Sequence, residues 1–430
     1  YMRVDWSKNL NVGAYDFDTL SYLGLVGVRF EPLAYTVNDP THRDAPRFDL
    51  EEGYFDITNK AVASPEEVHF RWGSIPACFL PAWWGGGKGA WSCSSTEITV
   101  RHSFKRVVDN DYVPVDWDGV RFSVAGAFYT ERKGYVRNYG MTDDQWHRFA
   151  NLYNIWERSH YYEDPVAMTG AIECYTPATT PAGQDPNRDV EPAAGTADEC
   201  QAAGSGSQCD TFGQKCTLPF RQRVAKPIAL FYTEESDLNY WDGTEWATHD
   251  WDVAMRSAVM TARYAECMRV GEPDCAEKYP VLTGQQVEQD DAIWLAREVD
   301  ACRLGRSWQG EDCHALAERL GNERGFSRAV IATAQMEEMV VLCHSPVEVD
   351  DPPACGGPRL PADLSMALCQ EARANGDRAL VARCDEARSA RLGDLRFHQV
   401  TAIKTPEAGA PWGIMVDSDD PLTGEKVAAS

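Results

Sequence analysis

The sequence predicts an α+β protein: a β-rich N-terminal domain, then an α/β unit interrupted by a disulfide-stapled helical insertion. Three observations predict it. Segments between residues 67 and 129 alternate apolar and polar residues with the period of two that half-buried strands require. From Asp252 onward apolar residues recur at helical spacing instead. Fourteen cysteines fall largely into short-range neighbours with no C-x-x-C among them, the pattern of local disulfides made in an oxidising compartment.

Composition bounds the answer. At 430 residues the chain is long enough for two or three domains with separate cores, and 43% hydrophobic residues exclude a disordered polymer. No run approaches the ~18 apolar residues of a membrane span. Tyr1 is not an initiator Met and no leader-type segment is present, so the natural product is expected to begin upstream. Asp and Glu outnumber Lys and Arg 66 to 41, a net charge of −25. Such a surface repels phosphate backbones and argues against nucleic-acid partners, whereas it suits a secreted protein in salty or calcium-bearing surroundings.

Residues 1–140 form the expected β-rich domain, with strands at 67–72, 97–102 and 120–129 and turns at Asn38-Asp39-Pro40 and Asp109-Asn110-Asp111. No G-x-G-x-x-G opens a helix there. A connecting helix is expected over 141–163. Thr142 to Gln145 make a capping-box arrangement, and Trp146, Phe149, Leu152, Tyr153 and Trp156 follow at helical spacing, a stripe that docks the sheet on the next domain.

Residues 164–222 read as a Pro/Gly/Ser-rich surface excursion pinned by cysteines. Within it Asp185, Asn187 and Asp189 have the spacing that starts a calcium loop. Val190 stands where glycine is expected and Thr196 where the closing Glu is expected, so calcium and an ordinary acidic loop are both open readings.

Residues 223–270 open the second domain with a buried strand over 226–233 and a helix capped by Asp252, with Ala254, Met255, Ala258, Val259 and Ala262 on one face. Residues 271–390 form the helical insertion, with helices at 285–305, 312–324, 327–341, 364–375 and 377–392. Residues 391–430 return to strands.

The cysteines pair by proximity as Cys78/Cys93, Cys209/Cys216, Cys267/Cys275, Cys302/Cys313, Cys343/Cys355 and Cys369/Cys384, leaving Cys174/Cys200. Each closed loop stabilises by on the order of 2–4 kcal/mol. The adjacent pairs Cys313-His314 and Cys343-His344 raise the alternative of a metal cluster, but zinc ribbons space ligands two to four residues apart and these do not. Trp83-Trp84-Gly85-Gly86-Gly87-Lys88 is either a packed loop or an aromatic platform for sugar. No G-x-S-x-G elbow is present, and His249-Asp250 and His160-x-x-Glu163 are single His/acid pairs that read as structural.

Gly393-Asp394-Leu395-Arg396-Phe397-His398, a Gly/Pro turn from Gly409 to Gly413, and Asp420-Pro421-Leu422-Thr423-Gly424-Glu425 resemble, in that order, the upper sheet of secreted zinc metallopeptidases of the metzincin type. The strand beginning Lys226-Pro227-Ile228 and the helix after it resemble the opening of the same catalytic domain. The resemblance covers 226–265 and 391–425 and implies a partial metzincin-like α/β subdomain. It implies an extended polypeptide substrate held by backbone pairing along Asp420, Pro421, Leu422, Thr423, Gly424 and Glu425. It also implies zinc and a Glu base on an H-E-x-x-H helix. None of the nine histidines lies in such a motif, so these are expected after Ser430. The expected role is the non-catalytic N-terminal portion of a secreted or outer-membrane-associated zinc metallopeptidase-like protein. Its expected partners are its own C-terminal portion or other copies of itself. The alternative is an extracellular surface-assembly protein that keeps this scaffold without catalysis.

Overall fold

The structure, a computed structural model, describes residues 28–35, 44–65, 67–76, 95–107, 126–136, 140–160, 209–210, 215–403 and 417–429, with positions 111, 112, 114, 115, 122, 124 and 415. The chain is mixed helix and strand, as the composition and periodicity predict.

The N-terminal part is antiparallel. Strands β1 (Val28–Tyr35), β2 (Arg47–Asp49), β3 (Tyr54–Pro65), β4 (Glu67–Phe70), β5 (Gly73–Pro76) and β6 (Thr96–Lys105) come first in the chain. β3 is the centre of a four-stranded sheet flanked by β1, β2 and β6, while β4 and β5 form a separate hairpin. Phe48, Phe55 and Phe104 are cross-strand neighbours whose rings stack at 6.1 and 4.8 Å, the side-chain pairing that fixes register in a sheet.

β7 (Tyr129–Val136) and β8 (Gly140–Ala150) form a second antiparallel hairpin. The connecting helix expected over 141–163 is therefore not formed over its described residues, 141–160: the first half is β8, and 151–160 makes single bridges to Glu425, Ala225 and Thr217. Aromatic residues suit a pleated, half-buried surface, and β7 supplies a backbone partner that outweighs the local helical spacing. The docking role survives the change of conformation, because Tyr153, Ile155 and Trp156 pack against Ile228, Val259, Met339 and Val340.

After the two-residue ladder of β9 (Cys209–Asp210) and β10 (Lys215–Cys216), which sets Cys216 opposite Cys209, the chain enters an α/β unit. Its elements are β11 (Ile228–Tyr232), α1 (Trp241–Val270), α2 (Cys275–Lys278), α3 (Gln286–Arg303), α4 (Cys313–Arg324), α5 (Arg328–Gln335), β12 (Val340–Cys343), α6 (Met366–Asn375), α7 (Arg378–Cys384), β13 (His398–Val400), β14 (Asp417–Asp419) and β15 (Lys426–Ala429). β11 lies between β12 and β13 and is parallel to both. β14 and β15 form an antiparallel hairpin beside it.

Helix starts follow the sequence closely where a capping side chain is present. Asp312, Ser327, Ser365 and Asp377 each accept backbone N–H bonds from the first turns of α4, α5, α6 and α7. Three expectations fail. Asp252 lies inside α1, where its carboxylate accepts the backbone N–H groups of Met339 and Val340 at 2.6 and 3.0 Å. The helix expected over 327–341 stops at Gln335, and the run from Val340 to Cys343 is instead a fully buried strand, as a short apolar run inside a sheet can be. The last predicted helix, over 377–392, likewise ends at Cys384.

The main core lies between α1, α3, α4 and α5, formed by Val253, Ile293, Leu295, Val299, Leu316, Leu320 and Val330. Gly321 lets α4 and α5 close up: a Cβ there would stand 2.4 Å from Ile331. Four of the expected disulfides join Cys267 to Cys275, Cys302 to Cys313, Cys343 to Cys355 and Cys369 to Cys384. Cys78, Cys93, Cys174, Cys200, the calcium-loop residues Asp185, Asn187 and Asp189, and the Trp83-Trp84 loop lie outside the described residues. No helix among the described residues is long and apolar enough to cross a membrane.

The two parts are joined by arginines. Arg391 reaches the buried carboxylate of Asp56 at 2.5 Å and the carbonyl of Ala45 at 3.0 Å; Arg396 reaches Asp49 at 2.8 Å and Arg388 reaches Glu52 at 3.3 Å.

Candidate functional site

A cleft of about 350 Å³ opens between α1, α3 and β12. Trp241, Glu245, Thr248 and His249 line it because they fall at i, i+4, i+7 and i+8 on one face of α1. Arg297 and Asp300 from α3, Arg306 just after it, Glu338 from the turn before β12, and His344, Asp350 and Asp351 from the loop after β12 add to its polar lining. The Cys343–Cys355 disulfide closes that loop at its base.

Asp351 organises the loop. One carboxylate oxygen accepts the backbone N–H groups of His344 and Glu348 at 3.0 and 2.8 Å, and the other lies 2.7 Å from His344 Nδ1. A carboxylate here only accepts, so Nδ1 carries the hydrogen and Nε2 is turned away from this bond. The imidazole also stacks on the Trp241 ring, with centroids 3.6 Å apart and planes inclined by 14°. Its orientation is thus fixed on two sides.

Beneath the cleft lies a charge network with almost no solvent. Arg256 is 0% exposed and pairs with Asp252 at 2.7 Å and with Asp300. It also donates to the Met336 carbonyl, while Arg303 holds Asp300 and the Gln335 and Met336 carbonyls, each at 2.7 Å. Together with the bonds from Met339 and Val340 to Asp252, this pins the turn that carries Glu338. Burial, reinforced by the nearby Asp300 carboxylate, pushes the Glu338 carboxyl up to about 7. Burial and then Arg297 hold the His249 imidazole down to about 4, so it is neutral.

Chemically, the cleft offers the imidazole of His344, a carboxyl that exchanges its proton near neutrality and the guanidinium of Arg297. Strongly shifted groups in a cleft mark a candidate site. No serine or free thiol is among the residues lining it, and the Thr248 hydroxyl donates to the Thr244 carbonyl at 2.8 Å. The arrangement suits binding with proton exchange. No three His, Cys, Asp or Glu side chains among the described residues are grouped to hold a metal ion, so no step is assigned to zinc here.

The residues singled out from the sequence lie elsewhere. Asp420 to Glu425 form the turn of the β14–β15 hairpin: the Gly424 N–H reaches the Asp420 carbonyl at 2.8 Å and the Thr423 hydroxyl reaches the Asp420 carboxylate at 2.7 Å. Gly424 has φ +73°, and its Cβ would stand 2.5 Å from the Ala150 carbonyl oxygen, so only glycine fits. The Gly424 carbonyl and the Lys426 N–H already bond Leu152 at 3.1 and 2.9 Å. Those two groups are therefore engaged by the chain itself and are not open to an added strand.

Sequence reasoning read His249 as structural and considered His344 only beside Cys343, as part of a metal alternative. Cys343 is in a disulfide, and the partner that matters is Asp351. A His and an Asp seven residues apart carry no recognisable spacing; the cysteine-closed loop around them was the one available signal. No known protein family, curated protein or solved structure matches the chain.

Proposed function

We propose that this chain is a non-catalytic portion of an extracellular, zinc metallopeptidase-like protein, in which residues 226–429 supply the upper sheet and back helix of the scaffold. The observation that carries the reading is the pairing of β11 with β13. The two segments that resemble the metallopeptidase family are adjacent parallel strands, with Leu230, Phe231 and Tyr232 opposite His398, Gln399 and Val400. The bond between Thr233 and Thr401 at their ends spans 168 positions of sequence.

The D-x-R-F segment also has a physical role in this reading. Asp394 and Arg396 pair at 2.7 Å and set the turn into β13, and the Phe397 ring packs 4.5 Å from that of Phe231. The four disulfides and the acidic surface suit a protein outside the cytosol. Zinc and its Glu base would come from residues other than these. The test is hydrolysis of a labelled casein by the purified chain, with added zinc and with a chelator. No turnover above buffer is expected; turnover abolished by the chelator and restored by zinc would contradict the proposal.

A further inference from the structure

A second cavity, also of about 350 Å³, lies between the start of β11, the segment entering β13 and the β14–β15 hairpin. It lies on the other side of the Cys343–Cys355 loop from the cleft: Asp351 borders the first, Ala354 to Gly356 the second. Although the chain carries a net charge of −25, the charged residues lining this cavity are Lys226, Arg388, Arg396 and Lys426 against the single acid Glu425.

Most of these charges have partners. Lys426 is held by Asp417 and Asp419, Arg396 by Asp394 and Asp49, and Glu425 accepts from the Asn154 amide at 3.0 Å. Lys226 has no ion pair or side-chain hydrogen bond among the described residues. Arg388 touches Glu52 through one nitrogen at 3.3 Å and lies over the Phe397 ring at 4.8 Å, so the rest of its donor fork is uncommitted. His398 also lines the cavity, and its Nδ1 is buried with no hydrogen-bond partner among the described residues, a demand that native folds rarely leave unmet. The remaining walls, Tyr153, Pro227, Phe231 and Phe397, are largely apolar.

We infer that this cavity binds a small organic carboxylate with an apolar body, its acid group between Lys226 and Arg388 and its body against Tyr153 and Pro227. Two cations from different elements match the two oxygens of a carboxylate, and charge-assisted bonds of this kind are the strong ones. A bare inorganic anion would leave the aromatic wall unused.

The test is isothermal titration of the intact chain with N-acetyl-phenylalanine, N-acetyl-phenylalanine amide and inorganic phosphate. The acid is expected to bind, the amide at least about tenfold more weakly, and phosphate more weakly than the acid. Lys226→Met should weaken the acid by about tenfold with an unchanged melting temperature, because the substitution keeps the backbone bond from Lys226 N–H to the Ile155 carbonyl and the Lys226 side chain has no hydrogen bond or ion pair among the described residues. Arg388→Met gives a second variant with the same expected loss. Equal binding of acid and amide, equal binding of acid and phosphate, an undiminished affinity in Lys226→Met, or no binding of the acid at about 1 mM would each overturn the assignment.

Discussion

At the scale of single residues, Glu338 gives the sharpest prediction. Its folded value of about 7 lies above the ordinary 4.5. Between those values the folded chain keeps a proton that the unfolded chain has released, so this group's contribution makes stability fall as pH rises through that window. Glu338→Gln should flatten the decline and raise stability at about pH 8 by at most about 3 kcal/mol. Urea unfolding across that range checks it, and an unchanged slope would show that the carboxyl is not held neutral by its surroundings. His249 and His398 act with the opposite sign: both are held down to about 4, chiefly by burial, so the stability they contribute is lost as pH falls below their ordinary 6.5.

Among elements, the segment before β13 is the joint of the molecule. It sends Arg388, Arg391 and Arg396 into the acids of the N-terminal sheet, and the central pair is buried, with Asp56 at 0% and Arg391 at 7% exposure. Arg391→Ala leaves the Asp56 carboxylate with the Tyr54 hydroxyl and the Arg47 N–H but no countercharge. A loss of about 3–5 kcal/mol is expected by denaturant titration; a change under about 0.5 kcal/mol would show that the sheet docks by other means. The sequence made the helices and the local cystines legible because caps such as Asp312 and Asp377, and neighbouring cysteines, act within a few residues of themselves. β8 was misread because its aromatic spacing satisfies a helix equally well, and its partner strand decides the matter. Asp252 was misread as a cap because its true partners, the amides of Met339 and Val340, come from a distant segment. The cleft was illegible for the same reason: Trp241, Glu338, His344 and Asp351 meet only after the whole insertion has folded.

At the scale of the whole molecule, the α/β unit with its four disulfides is built on one short parallel sheet of β12, β11 and β13. The chain leaves the sheet after β11, returns to it as β12 and again as β13. That closure brings 228–232 and 398–400 together as neighbouring strands, and it is the feature on which the proposed function depends. At their ends the Thr233 and Thr401 hydroxyls are 3.0 Å apart and the Thr233 N–H donates to the Val400 carbonyl at 3.0 Å, so the two residues are cross-strand neighbours. The most direct measurement is therefore the intact mass and thiol count of Thr233→Cys/Thr401→Cys after folding in an oxidising buffer. The account predicts a fifth disulfide joining these two positions beside the four of the α/β unit, found as one cross-linked peptide. Two free thiols in a folded chain, or cross-linking of either residue elsewhere, would contradict it.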